Sequence, residues 1–496
     1  HPYKGASHSP DIAVVMPVFH KGTLVGFSAN TAHHVDIGAA TPGLIIDVPD
    51  MWAEGMLLDA VKLYEAGNRV ESLWKYIRDN TRVPDLVMGD LEAQIASAEL
   101  GVRRFEELLD KYGKDDVISS CNQLMDYTER LMRREISKIP DGEYFAEGFL
   151  DDDGRNRDKT LPIKVCVKVS GDSVEIDLTG SSDQVPTAFN VPFDGSTLVS
   201  AFFVFRAMLL DTYTLEEYVP QNEGSFRPIK VTAPKGSIFN PIAPAAAEAR
   251  FCQIQRMADL VIKALSPVIP DKSTAGNAAT LSFAAFSGVR PSGDYWVFLE
   301  VNEAATGGRP ASDGADTVEE LMRNTRNNPL EDLGMHLPLI CDRYEIRDDG
   351  PPGAGKFRGG AGVIKSQRYL TPGFMTHESD RHLDAPWGAF GGKAGSVGKM
   401  EIYNVKDPSN VRQEYSKFSG LRTNEGDVVS YISPSGGGFG DPLERDPLKV
   451  LDDVLDEIIT IDSARDDYGV VMDEVDDGYG WSVNSEATKK LRAEMS

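Results

Sequence analysis

The chain has 496 residues, 41% of them apolar, with 77 acidic against 51 basic side chains and a net charge of −26. That length allows a large core and two to four domains, while the charge excludes a nucleic-acid-binding surface, which needs a basic face. The longest apolar run, "LVSAFFVFRAMLL" at 198–210, contains Arg206 and is shorter than a membrane span, and no secretory signal is visible.

Residues 11–33 read as a β-hairpin. "DIAVVMPVF" and "TLVGFSANTAHH" are apolar and strand-like, and "HKG" between them offers Gly22 for the turn. Segment 89–113 has apolar residues at 91, 95, 98, 102, 105, 108 and 109, and 115–136 repeats the helical spacing. The two are expected to pack as an antiparallel pair. "LPIKVCVKVSGDSVEIDLTG" from 161 reads as two strands about a Ser-Gly-Asp turn, with Val174, Ile176 and Leu178 alternating. Buried helices are expected at about 196–211 and 248–266. Residues 284–320, rich in Gly, Ser and Ala, read as loop. The Gly-rich stretch 340–440, with "VIKSQRYLT", "GKMEIYNV" and "DVVSYIS", reads as an all-β module, and the acidic tail as helical, its densest acid at 451–477. The fold class is therefore mixed α+β. Four regions are expected: 1–155, 156–335, 336–445 and 446–496.

Cys121, Cys166, Cys252 and Cys341 are scattered, with no C-x-x-C pair. This argues against a thiolate zinc site and fits buried thiols in a reducing, cytoplasmic setting. There is no G-x-S-x-G nucleophile motif either. "GPPGAGKF" (350–357) nearly matches a phosphate loop, but Phe357 replaces the hydroxyl that Mg²⁺ needs and "RGGAGV" cannot start a helix. No nucleotide site is expected there. "SPSGGGFGD" (433–441) reads as a tight turn.

Of eight histidines, His1, His8, His20, His33 and His34 fall in the first 34 residues. With a His20–Gly22 loop, paired strand positions sum to about 42, which sets His8 opposite His34; a two-residue loop shifts this by one. Either way His8, Asp11 and the His33–His34 pair gather at the open end of the hairpin. Opposed side chains there have Cβ atoms roughly 5 Å apart. Two imidazoles and a carboxylate can hold a divalent ion with coordination positions left open, and the donor set suits Mn, Zn or Fe rather than Cu(I). The alternative is a polar strand end with solvated histidines. His20 is expected to be an exposed turn residue, and "HESDRH" (377–382) a solvated loop rather than a second ligand cluster.

"HPYKGASHSPDIAVVMPVF" and "LVGFSANTAHHVDIGAATPG" resemble the hydantoinase B/oxoprolinase family, as do "GDLEAQIAS", "DLTGSSDQV", "FRPIKVTAPKGSIFNP", "RYEIRDDGPPGAGKFRGGAGV", "PWGAFGGKAG" and "SGGGFGDPLERDP". The resemblance runs nearly end to end. It implies that His8, Asp11 and His33 bind a divalent metal, choosing His33 over His34, with His34 and Asp36 orienting the ligands. It also implies a further acidic ligand upstream of His1, so the chain is expected to start inside a longer protein. Where relatives have Gly-Gly-Asn ahead of the middle helix, this chain has Glu248, Ala249 and Arg250, expected either at the substrate site or as an ordinary helix N-terminal turn.

The resemblance further implies an ATP-binding partner subunit of the hydantoinase A type (HyuA-like) in a hetero-oligomer such as (αβ)2, with small extra subunits in some relatives. ATP and Mg²⁺ are used on that partner, which phosphorylates a carbonyl or enolate oxygen of the substrate. Hydrolysis of a cyclic amide (hydantoin, oxoproline or lactam) is the first expectation. Carboxylation of a ketone, as in acetone and acetophenone carboxylases, is the second, and a scaffold subunit with a structural metal the third.

Overall fold

The computed structural model describes residues 1–475 and 480–495; positions 476–477 of the acidic run lie outside the described residues. Strands β1 (Asp11–His20) and β2 (Thr23–His33) form the expected hairpin, turning through Lys21 (φ 50°) and Gly22 (φ 78°). A small ribbon of β3 (Tyr64–Glu65) and β4 (Asn68–Arg69) leads into helices α1 (Glu71–Asp79), α2 (Pro84–Tyr112) and α3 (Lys114–Ile136). Next come β5 (Gly142–Leu150), β6 (Leu161–Ser170), β7 (Ser173–Asp177), α4 (Leu198–Leu209), α5 (Thr212–Leu215) and β8 (Ile229–Thr232). The strands form one sheet in the order β5-β6-β7-β8, with only the last pair parallel.

Helix α6 (Phe251–Leu265) packs on β5 and β6 and is buried on nearly every side, its Gln253, Gln255, Arg256 and Asp259 included. A helix enclosed all round must satisfy its polar groups inside the protein. Arg256 does so through Asp380 and Asp384.

Helices α2 and α3 join different cores. Val87, Leu91, Ile95 and Ala98 of α2 pack with Val14, Trp74 and Ile77 under the hairpin. Leu131, Met132 and Ile136 of α3 belong to the largest core, with β5–β7, α4 and α6. The expected pairing of the two helices is thus secondary to what each buries elsewhere. Full burial of a Leu or Ile side chain contributes about 1.5–3 kcal/mol, so Leu91→Ala would loosen the hairpin from its support.

Residues 284–320, expected to be loop, begin with a buried hairpin: β9 (Phe283–Val289) and β10 (Tyr295–Val301) pair antiparallel, and β9 is flanked on its other side by β13 (Gly373–Glu378). Both faces of β9 are covered, so "FAAFSGV" shows no polar alternation, and small residues fit where neighbours crowd in. Helix α7 (Leu330–His336), β11 (Leu339–Ile346), β12 (Val363–Tyr369), β14 (Lys399–Asn404), β15 (Asp407–Glu414), β16 (Lys417–Thr423) and β17 (Asp427–Ile432) complete two sheets, in orders β10-β9-β13-β16 and β11-β12-β17-β14-β15. Phe286, Phe298, Tyr369, Met400 and Tyr431 fill the space between them. The tail contains α8 (Pro447–Leu455), α9 (Ile461–Asp466), a ribbon of β18 (Met472–Glu474) and β19 (Trp481–Val483), and α10 (Ser485–Met495).

The run 433–441 is extended rather than a turn. It threads a bundle of glycine-rich runs drawn from about 275–278, 304–315, 352–361 and 386–395, tied by backbone bonds. Gly437 N donates to Gly276 O, Gly436 N to Gly360 O, Gly438 N to Lys393 O and Gly353 N to Gly436 O, all at 2.9 Å. A Cβ on Gly359 would sit 1.9 Å from Gly436 O, and one on Gly436 would sit 2.1 Å from Thr306 O. The "GPPGAGKF" run belongs to this bundle. "HESDRH" is likewise not solvated: His377, Glu378, Asp380 and Arg381 are fully buried. Asp380 meets Arg256 and Lys417, and Arg381 meets Asp259 and Asp384. All four cysteines are free thiols, but only Cys252 is buried. Among the described residues no helix is long and apolar enough to cross a membrane.

Candidate metal centre

The hairpin pairs Asp11 directly with His33. The pairing sum changes from 43 at His20↔Thr23 to 44 at Asp11↔His33 because a bulge between Val18 and Phe19 leaves Val25 unpaired. His8 follows from the segment ahead of β1, and its ring lies 5.0 Å from that of His33. One ligand atom from each of His8, Asp11 and His33 falls within 4.8 Å of the others, and this is the one such cluster of His, Cys and acidic groups among the described residues.

His8 is buried, and its Nδ1 lies 3.0 Å from the Glu248 carbonyl oxygen. A carbonyl only accepts, so Nδ1 carries the proton and Nε2 presents a lone pair. That Nε2 is 3.2 Å from Asp11 Oδ1 yet has no hydrogen-bond partner. A buried acceptor left open toward a carboxylate and a second imidazole suits a divalent cation, and a carbonyl behind the ring is the partner that a metal-binding histidine ordinarily has.

Asp11 Oδ2 accepts from the Ser7 hydroxyl and lies 3.5 Å from Arg250 Nη2. Burial alone would raise the Asp11 pKa, but His8, Arg250 and His33 outweigh it and hold the carboxyl well below its usual range. The pKa of His8 is lowered by burial and by Arg250. His33 opens onto the pocket, and the packing around it, His8 and Arg250 lower its pKa too. Both rings are neutral, the form that binds metals.

Two supports fix the centre. Gln94 on α2 accepts from His34 Nε2 and donates to Ile12 O and Asn30 Oδ1, clamping both strands to the helix. Glu54, fully buried, accepts from the Ser9 hydroxyl and from the backbone N–H groups of Ala247 and Glu248, joining the His8 segment to the stretch behind it. Burial raises the Glu54 carboxyl to about 7. Burial, with Glu54 and Glu378 nearby, raises Glu248 well above its usual range.

A pocket of about 380 Å³ opens at the triad, lined by His8, Asp11, His33, Arg250 and Arg323 and by an apolar wall that includes Phe251, Phe283 and Leu299. Larger clefts of about 640, 510 and 430 Å³ lie over β5–β7, beside α4 and beside Arg256 and Asp259, away from the triad.

The structure thus brings His8, Asp11, His33 and Arg250 together. It does not bring His34 or Asp36 to them. His34 turns to Gln94, and Asp36 accepts from Arg82 and Gly38 N near the start of α2. Glu248 contributes its carbonyl rather than its side chain. His20, expected to be exposed, is half-buried with Nε2 3.0 Å from Asp110. Glu54 escaped the sequence reading; its one signal is an acid within the apolar run "DMWAEGM".

The family model described as hydantoinase B/oxoprolinase matches residues 1–442. The B component of a putative D-/L-hydantoinase from Pseudomonas sp. (strain NS671) is 44% identical over 99% of this chain and 82% of its own length. The crystal structure of an ATP-dependent caprolactamase from Pseudomonas jessenii superimposes with a TM-score of 0.88 at 27% identity, over 99% of this chain and 84% of that one. An acetone carboxylase structure shares the fold, with a TM-score of 0.87 at 20% identity over 99% of this chain and 70% of that one. The chain belongs to the hydantoinase B/oxoprolinase family of enzymes.

Proposed function

We propose that this chain is the metal-binding subunit of an ATP-dependent two-component enzyme that hydrolyses a cyclic amide such as a hydantoin, oxoproline or lactam. The observation that carries the reading is the buried, unpartnered His8 Nε2 beside Asp11 and His33 at the mouth of a pocket. The similarity to a hydantoinase component and to an ATP-dependent caprolactamase supports the substrate class and the use of ATP. His8, Asp11 and His33 hold a divalent Mn, Zn or Fe ion, which supplies Lewis-acid polarisation of the substrate carbonyl. The Glu248 carbonyl keeps the His8 proton on Nδ1. The apolar wall of Leu44, Phe283 and Leu299 holds the substrate body and limits water, and Arg250 faces its polar end.

ATP and Mg²⁺ are handled by a partner subunit of the hydantoinase A type, in a hetero-oligomer such as (αβ)2 in the cytoplasm. The free thiols fit a reducing compartment.

Metal content of the purified protein and of His33→Ala, together with ATP turnover by the reconstituted complex, tests this reading. Hydantoin, 5-oxoproline and a lactam are compared with acetone and acetophenone plus bicarbonate. Turnover with the cyclic amides and loss of both metal and activity in His33→Ala are expected. Turnover only with the ketones sinks the hydrolase assignment in favour of carboxylation, and full activity without metal sinks the metal centre.

A further inference from the structure

Seven arginines of the described chain are buried: Arg250, Arg256, Arg323, Arg347, Arg358, Arg381 and Arg445. Six have their guanidinium groups hydrogen-bonded to carboxylates or carbonyls. Arg256 is held by Asp380 and Asp384, Arg381 by Asp259 and Asp384, Arg445 by Asp313 and Asp453, and Arg358 by Asp316 and Asp453. Arg347 bonds to Asp349, and Arg323 to the carbonyls of Leu281 and Asn302. Arg250 differs. At 8% exposure, its side chain makes no hydrogen bond among the described residues. Nε is sealed without a partner, Nη2 has only a 3.5 Å ion contact with Asp11, and the guanidinium stacks 4.8 Å over Phe251.

Burying a charge with its donors unused is costly. The cost is offset if a ligand supplies the acceptors, and Arg250 lines the pocket that opens on the triad. Charge narrows the ligand class. Asp11 contributes one negative and Arg250 one positive charge, the imidazoles bind metals neutral, and Arg323 is paired with Glu319 at 3.1 Å. With a divalent ion in place, Arg250 and the ion outweigh Asp11 and leave the pocket wall net positive, which favours an anionic ligand. A planar guanidinium fork suits a phosphoryl group bidentately.

We infer that Arg250 is the anion-binding side chain of this pocket, and that the group it takes is the phosphoryl dianion of an O-phosphorylated amide arriving from the ATP-using partner. This rests on the two-component reading above. It makes Arg250 a specificity-determining residue: the pocket discriminates activated from unactivated amide by charge.

The test loads the full chain with Mn²⁺ and titrates inorganic phosphate, read by calorimetry and by Mn²⁺-induced broadening of the ³¹P resonance. Acetate is titrated in parallel. Saturable phosphate binding is expected, weakened at least about tenfold in Arg250→Met and less in Arg250→Lys, since a tenfold loss corresponds to one charged hydrogen-bonded contact of about 1.4 kcal/mol. Mn²⁺ content and Tm should stay as in the parent. If Arg250→Met does not fold, Arg250→Gln and Arg250→Lys carry the comparison. Parent-like phosphate binding in the folded variants overturns the inference. So does acetate binding as tightly as phosphate, or no phosphate binding by the Mn²⁺-loaded parent. Failure of the metal reading is separate: there Mn²⁺ itself does not bind, or binds equally to His33→Ala.

Discussion

The metal-centre hairpin and the glycine bundle are both built from extended chain, yet they use it in opposite ways. In β1 and β2 the backbone is a holder, and the chemistry lies in what projects from it at Asp11 and His33. In the bundle the backbone is itself the packing unit: Gly436 and Gly359 approach so closely that a side chain on either would overlap a neighbouring carbonyl. The hairpin tolerates change wherever it faces outward, as at Phe27, which is 63% exposed. The bundle tolerates none along its shared faces. Side-chain identity is thus decisive in the first region at a few positions, and side-chain absence is decisive in the second at nearly all of them.

The largest effect should come from adding one methyl group to the bundle. Gly436→Ala is expected to lose more than about 3 kcal/mol, because the clash is with backbone that other runs hold in place; denaturant unfolding of the variant measures it. A loss under about 1 kcal/mol would mean that the bundle gives way like ordinary loop.

Next in size is a pH effect beside the bundle. Burial pushes Glu320 up to about 7 although Arg323 opposes it, and Glu320 accepts from Thr280 N. The folded chain keeps this proton at pH values where the unfolded chain, with an ordinary value of 4.5, has released it. The folded state therefore binds more protons between those values, and stability falls as pH rises through that window, by up to about 3 kcal/mol. Melting curves of the parent and Glu320→Gln from about pH 5 to pH 8 should show a flatter profile for the variant. Identical slopes would remove Glu320 from the account.

A smaller effect is expected behind the metal centre. Glu54→Gln keeps the shape but gives up acceptor capacity for Ser9, Ala247 and Glu248, and should weaken metal retention about tenfold while leaving the ligands in place; equilibrium dialysis against a chelator reads this. Two surface changes complete the contrast. Gly89, exposed in α2 with no atom near its Cβ direction, should gain about 0.5–1 kcal/mol as Gly89→Ala, the opposite sign to Gly436. Phe27→Ser should stay within about 0.5 kcal/mol in Tm-derived stability.

The hairpin and the meeting of His8, Asp11 and His33 at its open end are legible in the sequence because both depend on neighbours in the chain. The register is not: nothing in "TLVGF" marks Val25 as the residue the bulge leaves over. His34 and Asp36 look like companions of the ligands because they are adjacent in sequence, but the strand period and the approach of α2 turn them to Gln94 and Arg82. "HESDRH" and 283–301 mislead for one reason. Polar or small residues suggest solvent when considered locally, and partners far along the chain, such as Arg256 for Asp380 and β13 for β9, make them interior. The glycine run 433–441 reads as a turn because its composition allows that. Its extended form is imposed by four other runs that no local window contains.

The bond from His8 to Glu248 spans 240 residues. Closing a loop of that length costs the chain about 5 kcal/mol of entropy, so the imidazole is fixed in its tautomer only after the intervening sheet and helices have assembled. During synthesis, a nascent chain can form the hairpin long before it can complete the centre. Ion capture at His8 would thus report on the arrival of the chain's midpoint, and premature loading of the bare hairpin would be weak.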